Sequence, residues 1–212
     1  MKKKPYLILL LLFIAFNASA QDSLPAKKWL RIGFIYGYSA QNKFIKQEYD
    51  YFYESKIFKI SNHFMLRNRP NYNLELIIEP SYYRSKHQML NYWFISHTVE
   101  NGDELRAKYM KMKDINEYVL NVGLMYRRKL SDKHSLYAYL NSGPMFIDTE
   151  TERLKKGFAF SDIFALGYNY KINKLSFDIK GTYRHVSNAN IQKPNFGYNA
   201  YGFEVGTYYE FN

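Results

Sequence analysis

Tyr118-Val119-Leu120-Asn121-Val122-Gly123-Leu124-Met125-Tyr126 sets Tyr118, Leu120, Val122, Leu124 and Tyr126 on one parity, with Asn121, Gly123 and Arg127 on the other. Side chains of an extended strand alternate between its two faces, so this stretch predicts a strand with one apolar side. The rhythm recurs on both sides of it. Upstream, residues 29–40 place Leu30, Ile32, Phe34, Tyr36 and Tyr38 opposite Arg31, Gly33, Gly37 and Ser39. Phe58, Ile60, Phe64 and Leu66 oppose Lys59, Ser61 and His63, and Leu74, Leu76, Ile78 and Tyr82 oppose Asn73, Glu75 and Glu79. Downstream, Leu136, Ala138 and Leu140 oppose Tyr137, Tyr139 and Asn141, followed by an apolar row from Phe158 to Tyr170. Phe177, Ile179 and Tyr183 then oppose Asp178, Lys180 and Arg184. The last strand sets Tyr201, Phe203, Val205, Tyr209 and Phe211 against Gly202, Glu204, Gly206 and Glu210. The pattern predicts eight strands.

Alternation alone also suits a soluble sandwich, so the connections decide between the two. They are short at 68–71, 131–134 and 173–174, and long at 41–50, 86–114, 147–157 and 186–198. An outer-membrane barrel has short periplasmic turns, long extracellular loops and an even strand number that leaves both termini in the periplasm. The expectation is an all-β fold, an eight-stranded antiparallel transmembrane β-barrel over residues 21–212. Eight strands enclose a bore that side chains fill, which directs any activity to the rim or the outer wall. Glu75, Glu79, Asp178, Lys180 and Arg184 are expected to form a charge network in that bore.

Composition agrees. The chain has 212 residues, 19% of them aromatic, and its 22 Tyr and 16 Phe suit aromatic girdles. Lys2 to Lys4, an apolar run from Tyr6 to Phe16 and Ala18-Ser19-Ala20 have the layout of a cleavable secretory signal over residues 1–20. With no Cys, neither disulfides nor thiolate metal sites are available. Setting aside Lys2, Lys3 and Lys4 from the 30 basic residues leaves 27 against 19 acidic ones, a mature charge of about +8. This excess favours an anionic partner, phosphorylated lipid rather than nucleic acid for a secreted chain. The charged segment from Glu100 to Asp114 reads either as a phosphate-pairing loop or as a solvated one. His63 and His134 read as lumen or turn residues and His87 and His97 as loop residues, with no metal-binding spacing.

Residues 185–199 read His-Val-Ser-Asn-Ala-Asn-Ile-Gln-Lys-Pro-Asn-Phe-Gly-Tyr-Asn. His185 and Ser187, two apart on a strand, share the lipid-facing side with Phe177, Ile179 and Tyr183. A serine hydroxyl becomes an effective nucleophile when a neighbouring imidazole takes its proton. The segment closely resembles the signature of the PagL family of lipid A 3-O-deacylases, a His-x-Ser-Asn-Ala run followed by Pro-Asn-x-Gly and a catalytic acid. The resemblance implies an outer-membrane esterase acting on lipid A or lipopolysaccharide in the outer leaflet, with no cofactor. It implies Ser187 as nucleophile and His185 as general base. Asn195 and backbone amides around Ala189 and Asn190 become oxyanion donors, with Asn188 and Gly197 in support. Where the family pattern commonly places Glu, this sequence has Asn199, which can orient the imidazole but offers no charge. If Ile172 pairs with Leu175 across the turn at Asn173-Lys174, Asp162 stands opposite His185 and becomes a second candidate to orient or charge it. A catalytically silent barrel serving adhesion, envelope integrity or lipid binding is the alternative.

Overall fold

The computed structural model describes residues 29–41 and 49–211; the expected signal segment and most of the first long connection lie outside them. Eight strands follow in chain order: β1 (Trp29–Ala40), β2 (Tyr51–Asn68), β3 (Tyr72–Met89), β4 (Lys113–Lys129), β5 (His134–Ile147), β6 (Gly157–Ile172), β7 (Leu175–Ser187) and β8 (Tyr198–Glu210). Each pairs antiparallel with its neighbours, and β1 pairs with β8 to close the ring. Closure satisfies the edge hydrogen bonds that hydrocarbon cannot. No helix among the described residues is long and apolar enough to cross a membrane.

Parity sorts the side chains as the alternation requires. On β4, Tyr118, Leu120, Val122, Leu124 and Tyr126 are exposed on the outer wall, while Asn121, Met125 and Arg127 are buried inside. β1 departs from it at its start. A register shift between Trp29 and Arg31 leaves Leu30 buried instead of lipid-facing.

The bore is filled with paired charge. Lys59 Nζ lies 3.1 Å from Glu79 and 2.9 Å from Glu204, and Lys180 reaches the other Glu204 oxygen at 3.1 Å. Arg127 Nε donates to Glu75 at 2.6 Å, and Arg31 lies within 3.7 Å of Asp178 and 3.6 Å of Glu210. Arg184 binds Glu117 at 2.6 Å and donates from Nε to Ser161. Buried ions persist only when each has a close partner, so the network specifies one packing of the bore.

The connections alternate in length as expected. At the tight link between β6 and β7, Asn173 takes φ 55°, a left-handed value that two-residue hairpins need and Asn tolerates. The connection from β3 to β4 holds more structure than its composition suggests, a 3-10 turn at Tyr92–Phe94 and helix α1 (Gly102–Tyr109). Arg106 folds back from α1 onto the carbonyls of Tyr92 and Ile95. Of its charges, Lys108 pairs with Glu150 in the next loop, which Lys155 also bonds. β3 extends further than the pattern suggests. His87 is a buried strand residue, not a loop residue, and its Nε2 lies 2.9 Å from both Glu152 oxygens.

Replacing Lys59 with Met leaves Glu79 buried without its bonded cation; a loss of about 3–5 kcal/mol is expected in urea unfolding of the vesicle-inserted barrel, partly recovered by a second change, Glu79→Gln. The bonds from Lys108 and Lys155 hold the Glu150 carboxyl down at about 2 against an ordinary 4.5. A depressed carboxyl stabilises the loop fully above its unfolded value and loses that contribution as pH falls through the folded one. Protease resistance of residues 148–156 should therefore stay constant from pH 7 down to about 4.5 and fall away towards pH 2.

Candidate active site

β7 carries the site at its outer end. Asp178, Lys180, Arg184 and Val186 are buried in the bore, whereas Phe177 and Ile179 are exposed, and Tyr183, His185 and Ser187 continue their parity half-exposed. The strand has 13 residues. At about 3.3 Å per residue and a tilt near 45°, Ser187 stands roughly 30 Å above Leu175, the thickness of the hydrocarbon layer. The His–Ser pair therefore sits at the outer boundary of the apolar zone, on the outside of the wall.

The imidazole is held from the next strand. His185 pairs directly with Asn199 of β8, and Nδ1 lies 2.7 Å from Asn199 Oδ1. Tyr183, two residues before His185 on the same face, donates its hydroxyl to the same oxygen at 3.0 Å. An amide oxygen only accepts, so the proton of the neutral ring is fixed on Nδ1 and the lone pair on Nε2. Asn199 is itself clamped: its backbone N–H donates to the Tyr51 hydroxyl at 3.1 Å, and that hydroxyl donates to the Asn199 carbonyl at 3.4 Å. Ser187 Oγ makes no hydrogen bond with the imidazole or with any other described residue.

The loop after β7 folds over this pair. Ile191 N–H donates to the Asn188 carbonyl at 3.0 Å, and the intervening Ala189 and Asn190 have φ of 51° and 63°, the signature of a type I′ turn. Such values are costly for Ala, a strain found mainly at functional positions. Among the described residues no acceptor takes the N–H of Ala189 or of Asn190. Asn188 is scaffold, its side chain donating to the carbonyls of Gln192 and Pro194. Its backbone N–H donates to Asn195 Oδ1 at 2.7 Å, which leaves the Asn195 Nδ2 hydrogens as the free end of that amide. Gly197 has φ 66°, and a methyl there would lie 2.4 Å from the Val186 carbonyl and 3.6 Å from both His185 Cε1 and Ser187 Cβ. Its bare backbone forms one side of the space between the two candidate reactive groups.

The structure brings together His185, Ser187, Asn199, Asn195 and Gly197, with the Ala189-Asn190 turn beside them. Asp162 stands apart. It pairs with His185 across the β6–β7 ladder as the two-residue turn requires, yet its carboxylate accepts from Ser142 at 2.6 Å and makes no contact with the imidazole. Nδ1 is already occupied by Asn199 from the opposite side. Three contributors were not identified in the sequence. Tyr183 shares the parity of His185, a signal that was available. Arg153 and Leu154 reach the site only through pairing between loops, including a bridge from Leu154 to Asn195, which no periodicity encodes.

The fold is similar to that of a solved outer-membrane enzyme. The outer membrane enzyme PagL superposes with a TM-score of 0.57 at 13% identity, covering 83% of this chain and 97% of that one. Neisserial surface protein A gives 0.43 at 12% identity, covering 86% and 96%. The Yersinia pestis attachment protein Ail, in complex with a heparin analogue, gives 0.42 at 11%, covering 86% and 97%. No curated protein matches the sequence. Residues 47–208, most of the chain and all of the site, match the family described as Lipid A 3-O-deacylase (PagL), and this outer-membrane barrel belongs to that family.

Proposed function

We propose that the protein is a serine esterase that removes an ester-linked acyl chain from lipid A, of the 3-O-deacylase type, in the outer leaflet. The observation that carries this reading is the bond from His185 Nδ1 to Asn199, which leaves a basic Nε2 on the same outward face as Ser187. In the proposed reaction Nε2 takes the Ser187 proton as Oγ attacks the ester carbonyl. The negative charge that forms on the carbonyl oxygen is met by Asn195 Nδ2 and the unengaged amides of Ala189 and Asn190, donors of the kind that stabilise such intermediates. The sugar hydroxyl leaves with the proton from His185. Water, deprotonated by the same nitrogen, then releases the fatty acid from Ser187. A serine side chain turns about one torsion, and bonds of this kind often tighten only when substrate binds, so the open Ser–His geometry suits the role.

Asn199 accepts the Nδ1 proton and so selects the productive tautomer, but it adds no charge beside the imidazolium. A carboxylate at this position would do both. We assign the orienting role to Asn199 and Tyr183, and none to Asp162, whose carboxylate is engaged by Ser142. The unbonded Ser187 hydroxyl and the uncharged Asn199 favour a second reading, a catalytically silent barrel.

Mass spectrometry of lipid A from cells expressing the protein separates the two. Loss of one acyl chain is expected with wild type and none with Ser187→Ala; spectra identical to the empty-vector control establish the silent barrel. Asn199→Glu should raise the deacylation rate of purified protein by about tenfold or more, since a carboxylate within hydrogen-bond reach favours a neighbouring cation by about one pKa unit or more. Gly197→Ala places a left-handed, clashing residue beside the pair, a strain of about 1–3 kcal/mol, and should cut deacylation sharply. Gly181→Ala, whose added methyl meets nothing within 4 Å, should leave the rate unchanged in the same assay.

A further inference from the structure

We propose that Arg153, in the loop between β5 and β6, is the positioning residue that locks the proposed catalytic groups into register, an inference that rests on the esterase reading. Arg153 touches both supports of the His–Ser pair. Its Nε donates to the Gly197 carbonyl at 2.6 Å, and its own carbonyl accepts from the N–H groups of Phe196 at 2.9 Å and Gly197 at 3.4 Å. This three-bond clasp fixes the glycine whose backbone lies against His185 and Ser187. Its guanidinium also stacks 4.3 Å from the centre of the Tyr51 ring, the residue whose hydroxyl clamps the backbone of Asn199. Asn199 in turn holds His185. One side chain thus reaches the imidazole by two routes, through the Gly197 backbone and through Tyr51 and Asn199.

The loop that presents Arg153 also has anchors outside the His–Ser pair. Thr151 Oγ1 accepts from the N–H groups of Arg153 at 3.2 Å and Leu154 at 3.0 Å, closing a tight turn. Glu152 reaches into the mouth of the bore to His87, and Leu154 is fully buried and bridged to Asn195. A second ring, Phe94 from the connection between β3 and β4, lies 5.2 Å from the guanidinium and packs edge-on against Phe196 at 4.9 Å. Arg153 therefore joins three extracellular loops and the start of β2 around one cation. Arg suits the position because its planar fork donates in the plane while its faces stack on rings, which a lysine cannot do at once.

The test uses purified full-length barrel in micelles, with lipid A as substrate. Arg153→Ala should lower kcat by about 10- to 100-fold with KM within twofold of wild type, since displacement of reacting groups by about an ångström costs rate on that scale. Arg153→Lys, retaining the cation but not the fork, should recover part of it. Two further measurements do not depend on turnover of lipid A. Phosphonylation of Ser187 by a long-chain fluorophosphonate should slow in parallel, and amide exchange across residues 188–199 should quicken in Arg153→Ala while β2 and β3 stay protected. Unchanged kcat in Arg153→Ala, or a raised KM at unchanged kcat, overturns the proposal, as does unaltered exchange in that segment. Absence of deacylation by wild type defeats the esterase reading instead, and the exchange measurement then still decides whether Arg153 holds the loop. If the Ala variant does not fold, the Lys variant is read in the same three ways.

Discussion

A β-ring in hydrocarbon must pair every backbone N–H and C=O with a neighbouring strand, and this closure fixes which way each side chain points. Once β1 meets β8, no strand can slip by one residue without turning its whole apolar row into the bore and its charges into lipid. Everything on β7 follows from that. Arg184 enters the interior network with Glu117, while its neighbours Tyr183 and His185 face outward. The same ladder sets Asn199 on one side of His185 and Asp162 on the other, so the hydrogen-bond partner of the imidazole is a consequence of strand register.

The interior explains why the register holds. Lys59, Lys180, Glu79 and Glu204 share bonds across four strands, and Arg31 with Arg127 gathers Glu75, Asp178 and Glu210 near the periplasmic end. Each ion tolerates burial because its partner is within bonding reach, and a shifted strand would leave several of them alone at once.

The barrel was legible because two independent patterns coincide, period-two alternation and the alternation of short with long connections. The orientation of His185 and Ser187 was legible for the same reason, since parity survives errors of a residue or two at strand ends. The opposition of Asp162 and His185 could be read from the hairpin at Asn173, but parity places Cα atoms and not side-chain bonds. The competing hydroxyl of Ser142, brought alongside Asp162 by the β5–β6 ladder, decided where that carboxylate turned. His87 was misplaced because β3 continues past its apolar pattern into a region where the bore, not lipid, supplies the burial. The clasp of Arg153 on Gly197 depends on contact between loops far apart in the chain, for which local sequence carries no signal.

A filled bore also governs how a reactant meets this protein. With charge and tyrosine occupying the interior, nothing the size of an acyl chain passes through, and the His–Ser pair opens sideways into the leaflet. For the reaction proposed, encounters are two-dimensional: the rate is set by the mole fraction of the lipid in the surface and by its lateral diffusion, and the bulk concentration of a dissolved ester is irrelevant. Such a catalyst idles in a membrane that is dilute in its lipid and accelerates where that lipid crowds the leaflet, with no change in its own conformation.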